Sequence, residues 1–112
     1  SIGNGAIDNA SGTAIMIQVI LSNKKSLKDN LFVFDGNEEI SYDKPVYWGK
    51  GYRNFEKKYG KQISKAEKLI VIDCVGYDKL MNVYHSDLDI PELIKESYLE
   101  EALEILSNSV LI

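Results

Sequence analysis

The sequence has few of the residues that usually carry catalysis or covalent crosslinks. It contains one cysteine and one histidine among 112 residues. Cys74 has no second cysteine in the chain, so an intramolecular disulfide is excluded. A nucleophilic cysteine needs a nearby base, and His85 is the only histidine that could serve. Because Cys74 is predicted inside a β-strand, we expect a buried and inert thiol, and a catalytic Cys74–His85 pair is not favoured.

Long apolar runs are also missing. No run approaches the roughly 20 residues that a membrane-spanning helix needs, and no basic stretch followed by an apolar one resembles a secretory signal. Together with the lone cysteine, these absences lead us to expect a cytoplasmic protein with no membrane partner. The chain has neither a Walker A motif nor a dinucleotide-binding fingerprint. No cofactor and no bound metal are therefore predicted.

The composition is that of a folded protein. It is 45% hydrophobic and 27% charged, which argues against disorder. Residues 1–13 are rich in Gly, Asn, Ser and Ala and show no periodicity, so we predict a flexible leader there. Residues 14–112 have the length of one domain.

The segment from Leu69 to Val75 is the most β-prone in the sequence. It reads Leu-Ile-Val-Ile-Asp-Cys-Val, and β-branched side chains suit a pleated, packed surface. Side chains alternate along a strand, and both resulting faces are mostly apolar. We therefore predict a central strand covered on both sides, with Asp73 near its carboxyl end and Gly76 closing it.

Other short apolar runs extend the predicted sheet. The turn signal Asp35-Gly36-Asn37 allows a hairpin, and Pro45 places the strand after it at an edge. The further strands are predicted at Ala14–Leu21, Leu31–Phe34, Glu39–Tyr42, Val46–Trp48 and Leu80–His85.

Two helices complete the prediction. Tyr52, Phe55 and Tyr59 recur on one helical face, and Ser64–Glu67 resembles a capping box for about one further turn. The second helix is predicted from Asp89, an acceptor cap followed by an early Pro, to about Ser107. Its apolar stripe should pack on the sheet, and comprises Ile94, Tyr98, Leu99, Ala102, Leu103, Ile105 and Leu106. The expected fold is α+β: a mixed or antiparallel sheet of about five to six strands, a short middle helix and a long amphipathic C-terminal helix.

Acidic residues repeat along the C-terminal helix and form the first candidate site. They are Glu92, Glu96, Glu100, Glu101 and Glu104. Like charges four residues apart on a helix cost a few tenths of a kcal/mol per pair. That cost is explained if a basic protein surface binds there. A solvated outer face, or pairing with the chain's own basic residues, explains the pattern equally simply.

A basic aromatic segment forms the second candidate site. From Lys44 to Lys68 the chain has eight basic and two acidic residues, a net charge of +6, whereas the remainder carries −10. Aromatic rings can stack on bases while cations neutralise phosphates. The candidate nucleic-acid or phosphate-binding residues are Tyr47, Trp48, Lys50, Tyr52, Arg53, Lys57, Lys58 and Lys61. The plainer interpretation is a set of core aromatics beside solvated lysines.

Two aspartates at predicted strand ends form a third, weaker candidate. Asp35 and Asp73 each follow an apolar run, and two carboxylates that met there would suit Mg²⁺ and a phosphodiesterase reaction. Asp35 is equally well explained as a turn residue.

The sequence thus favours a small, acidic, non-enzymatic protein-binding module, of the inhibitor, immunity or antitoxin kind, that acts through its C-terminal helix on a protein with a basic surface. The alternatives are a nucleic-acid-binding protein that uses residues 47–61 and a metal-dependent phosphodiesterase that uses Asp35 and Asp73.

Overall fold

The computed structural model describes residues 5–36, 38, 49–78, 84 and 86–110. The chain divides into two compact units. The first comprises Ser1–Phe32 together with Val71–Ile112, and the second comprises Val33–Ile70.

Three α-helices make up the regular structure of the described residues, which contain no β-strand. Helix α1 spans Ser11–Ser22, α2 spans Lys50–Ser64, and α3 spans Glu96–Ser109. Shorter helical turns occur at Ala6–Ala10, Lys24–Lys28 and Pro91–Leu93. The predicted α+β class is therefore wrong for this part of the chain. Its longest helix has 15 residues, and none of the described helices is long and apolar enough to cross a membrane.

The core of the first unit lies between α1 and α3. Ile15 and Val19, four residues apart on α1, pack with Leu106 of α3, and all three side chains are buried. Half-buried apolar side chains surround this cluster: Met16, Phe32, Ile72, Val75, Leu99, Ala102, Leu103 and Val110. The C-terminal helix thus packs on another helix instead of on the predicted sheet.

Helix α1 occupies the segment predicted as the strand Ala14–Leu21. A nearly uniform apolar run suits a buried strand or a buried helix, and periodicity cannot distinguish them. The helix places Ile15 and Val19 inward, whereas Ile17 and Leu21 on its other face are exposed. The strand prediction is wrong because the buried residues Ile15 and Val19 lie four positions apart, which is the spacing of one helical face.

The residues before α1 are ordered by contacts with a distant part of the chain. Ala6 and Ile7 are buried, although both lie within the predicted leader. The Asp89 carboxylate, itself fully buried, accepts a hydrogen bond from the Ile7 N–H at 2.7 Å and one from the Asp8 N–H at 3.1 Å. This carboxylate therefore joins residues that are 82 positions apart.

The predicted central strand Leu69–Val75 is irregular. Leu69 is 66% exposed and Val71 is 80% exposed, whereas Ile72 and Val75 pack on the core. The Asn9 amide donates to the Ile72 carbonyl oxygen at 2.9 Å and accepts from the Cys74 N–H at 3.1 Å. A side chain thus takes two backbone groups that a neighbouring strand would need. The strand prediction is wrong here for this reason.

Among the other predicted strands, Leu31–Phe34 has no regular structure. Glu39–Tyr42 and Val46–Trp48 fall outside the described residues, as does Leu80–His85 except for Tyr84, which lies in a turn.

The helix predicted at Tyr52–Tyr59 is confirmed and is longer, since α2 runs from Lys50 to Ser64. Ser64 ends that helix and does not cap another one.

Helix α3 begins seven residues later than predicted, at Glu96, and ends at Ser109. Asp89 cannot serve as its cap because the carboxylate binds Ile7 and Asp8. Pro91–Leu93 forms only a 3₁₀ turn between Ile90 and Ile94, both of which are extended. The backbone N–H of Lys95, immediately before α3, donates to the carbonyl oxygen of Gly76 at 2.9 Å. Gly76 has φ +98°, and a Cβ there would meet Leu99 of α3 at 3.0 Å, so this contact needs glycine.

Candidate functional site

The solvent side of α3 carries the predicted acidic residues. Glu96, Glu100, Glu101 and Glu104 all lie on this helix and are exposed. Glu92 is exposed as well but lies before the helix, in the turn Pro91–Leu93. Helix α3 has four acidic residues and no basic one, so its side chains carry a charge of −4.

An apolar side chain is exposed beside these carboxylates. Ile105 lies one residue after Glu104 and four after Glu101, and it is 60% exposed. Its neighbour Leu106, which points to the core, is 6% exposed. The sequence pattern placed both in one apolar stripe, and for Ile105 that prediction is wrong. We call Glu96, Glu100, Glu101, Glu104 and Ile105 the acidic face.

A small polar network holds the beginning of α3. The Tyr98 hydroxyl donates a hydrogen bond to Asp78 at 2.9 Å, and the Lys95 ammonium lies 3.9 Å from the other oxygen of that carboxylate. The hydrogen bond raises the pKa of Tyr98 above its ordinary value. Lys95 also lies over the Tyr98 ring, 5.5 Å from its centroid. Since Asp78 engages this lysine, the basic charge immediately before α3 is already partly balanced.

Helix α2 separates the aromatic and basic residues of the second candidate site. The rings of Phe55 and Tyr59 lie 4.9 Å apart and those of Tyr52 and Phe55 lie 6.4 Å apart, so these three share one face. A second stripe on α2 is basic and consists of Lys50, Arg53 and Lys57. These residues have the same spacing as the three aromatic residues but each lies two positions earlier, so they occupy a different side of the helix. Lys58 lies 5.3 Å from the Tyr59 ring centroid, at the border between the two. Tyr47 and Trp48 lie outside the described residues.

This separation bears on how α2 could bind a nucleic acid. Stacking on bases together with phosphate contacts requires rings and cations on one surface. Along α2 the rings contact one another instead, and no residue of this helix is buried. Phosphate contacts by the basic stripe are therefore the mode that this helix suits.

Asp73 has neighbours that the sequence did not predict. One carboxylate oxygen from each of Asp8 and Asp73 and the Cys74 sulfur all lie within 4.8 Å of one another. Asp35 belongs to the other unit and is exposed. Three ligands of mixed type are one fewer than the four protein ligands of a structural zinc site. The cluster could contact a cation but does not by itself form a closed site.

The same cluster controls the reactivity of Cys74, which is half-buried and has a free thiol. Burial raises the pKa of this thiol, and its 3.3 Å hydrogen bond to Asp73 and the negative charges of Asp73 and Asp8 raise it further. Since the thiolate is the nucleophile, these surroundings oppose catalysis by Cys74. His85 lies outside the described residues.

We expect the Cys74 thiol to react with iodoacetamide at pH 8 at least about tenfold more slowly in the native chain than in the chain unfolded in urea. An Asp73→Asn variant should react roughly threefold faster than the native chain because a neighbouring negative charge is removed. The rates are measured by mass spectrometry of quenched samples. Equal rates in the folded and unfolded chains would contradict the raised pKa.

An apolar groove adjoins the beginning of α1. It has a volume of about 300 Å³ and could receive one or two apolar side chains. No charged residue lines it; the lining residues are Ala6, Ala10, Ser11, Ala14, Pro91, Ile94 and Leu99.

Two residues that organise the first unit were missed at the level of sequence. Asn9 bridges Ile72 and Cys74, and nothing in its surroundings marks it. Asp89 was predicted to cap the C-terminal helix, which means that its carboxylate would accept hydrogen bonds from backbone N–H groups of that helix. The carboxylate does accept two backbone N–H groups, but they belong to Ile7 and Asp8. Comparisons with models of known protein families, with curated proteins and with solved structures find no match to this chain.

Proposed function

We propose that this chain is a small protein-binding module that binds a basic protein surface through the acidic face of α3. The observation that carries the proposal is the exposure of Ile105 beside four exposed carboxylates. Exposed charges alone are common on soluble helices. A large apolar side chain among them gains free energy only when a partner covers it.

The helix is also well fixed for this role. One side of α3 packs through Leu99, Leu103 and Leu106 on the core of the first unit. Its beginning is held by the Lys95–Gly76 hydrogen bond and by the Tyr98–Asp78 hydrogen bond. The acidic face is thus presented by a helix that need not be ordered on binding, which lowers the entropic cost of association.

The proposed class of protein and its proposed location follow from the acidic face and from the free thiol. An inhibitor, immunity-type or antitoxin-like protein would use such a face to cover a basic functional surface of its target. Cys74 as a free thiol with a raised pKa suits the cytoplasm, where thiols stay reduced.

Charge reversal tests the acidic face. We expect the variant Glu100→Lys with Glu104→Lys to lose at least about nine-tenths of the partner captured from native-cell lysate, since steering and contact would both become repulsive. The variant should still fold because both positions are exposed and lysine favours the helix about as well as glutamate does. Captured protein is measured by quantitative mass spectrometry.

A matched control changes the net charge equally at a distance from α3. Asp29 and Glu67 are exposed and lie outside the three helices. The variant Asp29→Lys with Glu67→Lys should capture the same partner as the native chain. Equal capture by all three proteins would refute the acidic face as the binding surface.

A further inference from the structure

We propose that two copies of this chain associate through the acidic face of α3 in one copy and the basic stripe of α2 in the other. The basic stripe comprises Lys50, Arg53, Lys57 and Lys61. This inference rests on the proposed function, because it names a partner for the same acidic face.

The charges of the two helices are opposite and equal. Helix α2 has five basic residues and one acidic residue, a net charge of +4, while α3 carries −4. No basic residue interrupts the acidic residues of α3, and Glu56 is the single acidic residue among the basic residues of α2. Such blocks repel their own kind and favour a surface of the other sign.

The two stripes also match in spacing. Glu96, Glu100 and Glu104 repeat every four residues and span about 12 Å of helix. Arg53, Lys57 and Lys61 repeat at the same interval. Helix α2 is kinked at Tyr59, between Lys57 and Lys61, where a φ of −120° departs from helical values, so the straight match of spacing covers Arg53 and Lys57.

The residues at the centre of the contact are accessible within their own units, whereas Lys50 and Arg53 are half-buried. Lys57 and Lys61 are exposed, as are Glu96, Glu100 and Glu104. The aromatic rings of α2 lie on another face, so they do not obstruct an approach to the lysines. An antiparallel contact centred on the straight part of α2 would bring Lys57 opposite Glu100.

A contact between exposed charges is weak and depends on salt. The Debye length falls from about 30 Å at 0.01 M salt to about 3 Å at 1 M salt. We therefore expect association at protein concentrations of about 0.5 mM in low salt. The association constant should fall at least about tenfold in high salt.

A charge-swap experiment by analytical ultracentrifugation of the full chain tests this contact. One variant has a basic α3, made by Glu100→Lys and Glu104→Lys. The other has an acidic α2, made by Lys57→Glu and Lys61→Glu. Each variant alone presents like charges at the contact and should sediment as a monomer, whereas a mixture of the two should associate as the native chain does.

Matched controls separate this contact from the effect of net charge. Lys24 and Lys28 lie in an exposed turn outside the three helices. The variant Lys24→Glu with Lys28→Glu has the same net charge as the acidic-α2 variant, and it should associate like the native chain. Circular dichroism shows whether each variant folds, and Lys57→Glu alone replaces the acidic-α2 variant if that variant does not fold.

Three outcomes would overturn self-association. The first is a native chain that stays monomeric in low salt. The second is a mixture that stays monomeric, and the third is association of either swapped variant alone. If the native chain stays monomeric while charge reversal on α3 still abolishes capture from lysate, self-association fails and the proposed function stands.

Discussion

Replacing Asp89 by alanine is expected to lower the free energy of unfolding by about 3 kcal/mol. The fully buried carboxylate accepts two backbone N–H groups, from Ile7 and Asp8. Hydrogen bonds to a charged group contribute about 1.5–3 kcal/mol each, and the variant leaves both donors without this acceptor. For a chain of this size, the midpoint of thermal unfolding should fall by at least about 10 °C.

Two further variants make this prediction specific. Asp89→Asn keeps one oxygen acceptor, so we expect roughly half of the loss. Asp87 is exposed two residues away, and Asp87→Ala should change the free energy of unfolding by less than about 0.5 kcal/mol. Thermal and urea unfolding followed by circular dichroism measure all three. An Asp89→Ala variant as stable as Asp87→Ala would show that the carboxylate does not anchor the N-terminal segment.

Asp89 determines the surroundings of Ile7 and Asp8 through contacts between residues that are distant in the sequence. Residues 1–13 lack apolar periodicity, and within the described part of this segment Ile7 and Asp8 bind a carboxylate that lies 82 and 81 positions away in the sequence. No local pattern encodes that partner. Ala6 and Ile7 are buried beside this anchor, since the two hydrogen bonds join their segment to Asp89 within the first unit.

The strand predictions at Leu69–Val75 and Ala14–Leu21 failed for a related physical reason. β-branched residues favour strands only where a neighbouring strand and a packed face exist. At Ile72 and Cys74 the Asn9 side chain takes the backbone groups instead, and Cys74 adopts a left-handed φ of 52° that interrupts an extended chain. Between Ala14 and Leu21 the apolar run suited a helix equally well.

Helical features with a clear period were predictable. The recurrence of Tyr52, Phe55 and Tyr59 indicated α2, and their rings are in contact. The four-residue repeat of glutamates indicated an exposed face on α3, where Glu96, Glu100 and Glu104 are exposed. Exposure of Ile105 was not predictable, because the face of a helix that meets a core depends on which element packs against it. That element proved to be α1, through Ile15 and Val19.

The adjacent residues Leu106 and Ile105 provide the second large prediction. We expect Leu106 to contribute to stability and Ile105 to contribute to binding. Leu106→Ala should lower the free energy of unfolding by about 3 kcal/mol, through lost burial and a cavity beside Ile15 and Val19. Ile105→Ala, one residue away on the exposed side, should change it by less than about 0.5 kcal/mol.

Binding should respond in the opposite order, since Ile105 belongs to the acidic face and Leu106 does not. We expect Ile105→Ala to reduce capture of the basic partner roughly tenfold, as the loss of a covered apolar side chain would. Leu106→Ala, measured well below its lowered unfolding midpoint, should retain capture. Urea unfolding and the lysate capture assay measure the two effects on the same proteins. If Ile105→Ala were destabilising and bound normally, Ile105 would be a core residue and the acidic face would lose its apolar contact.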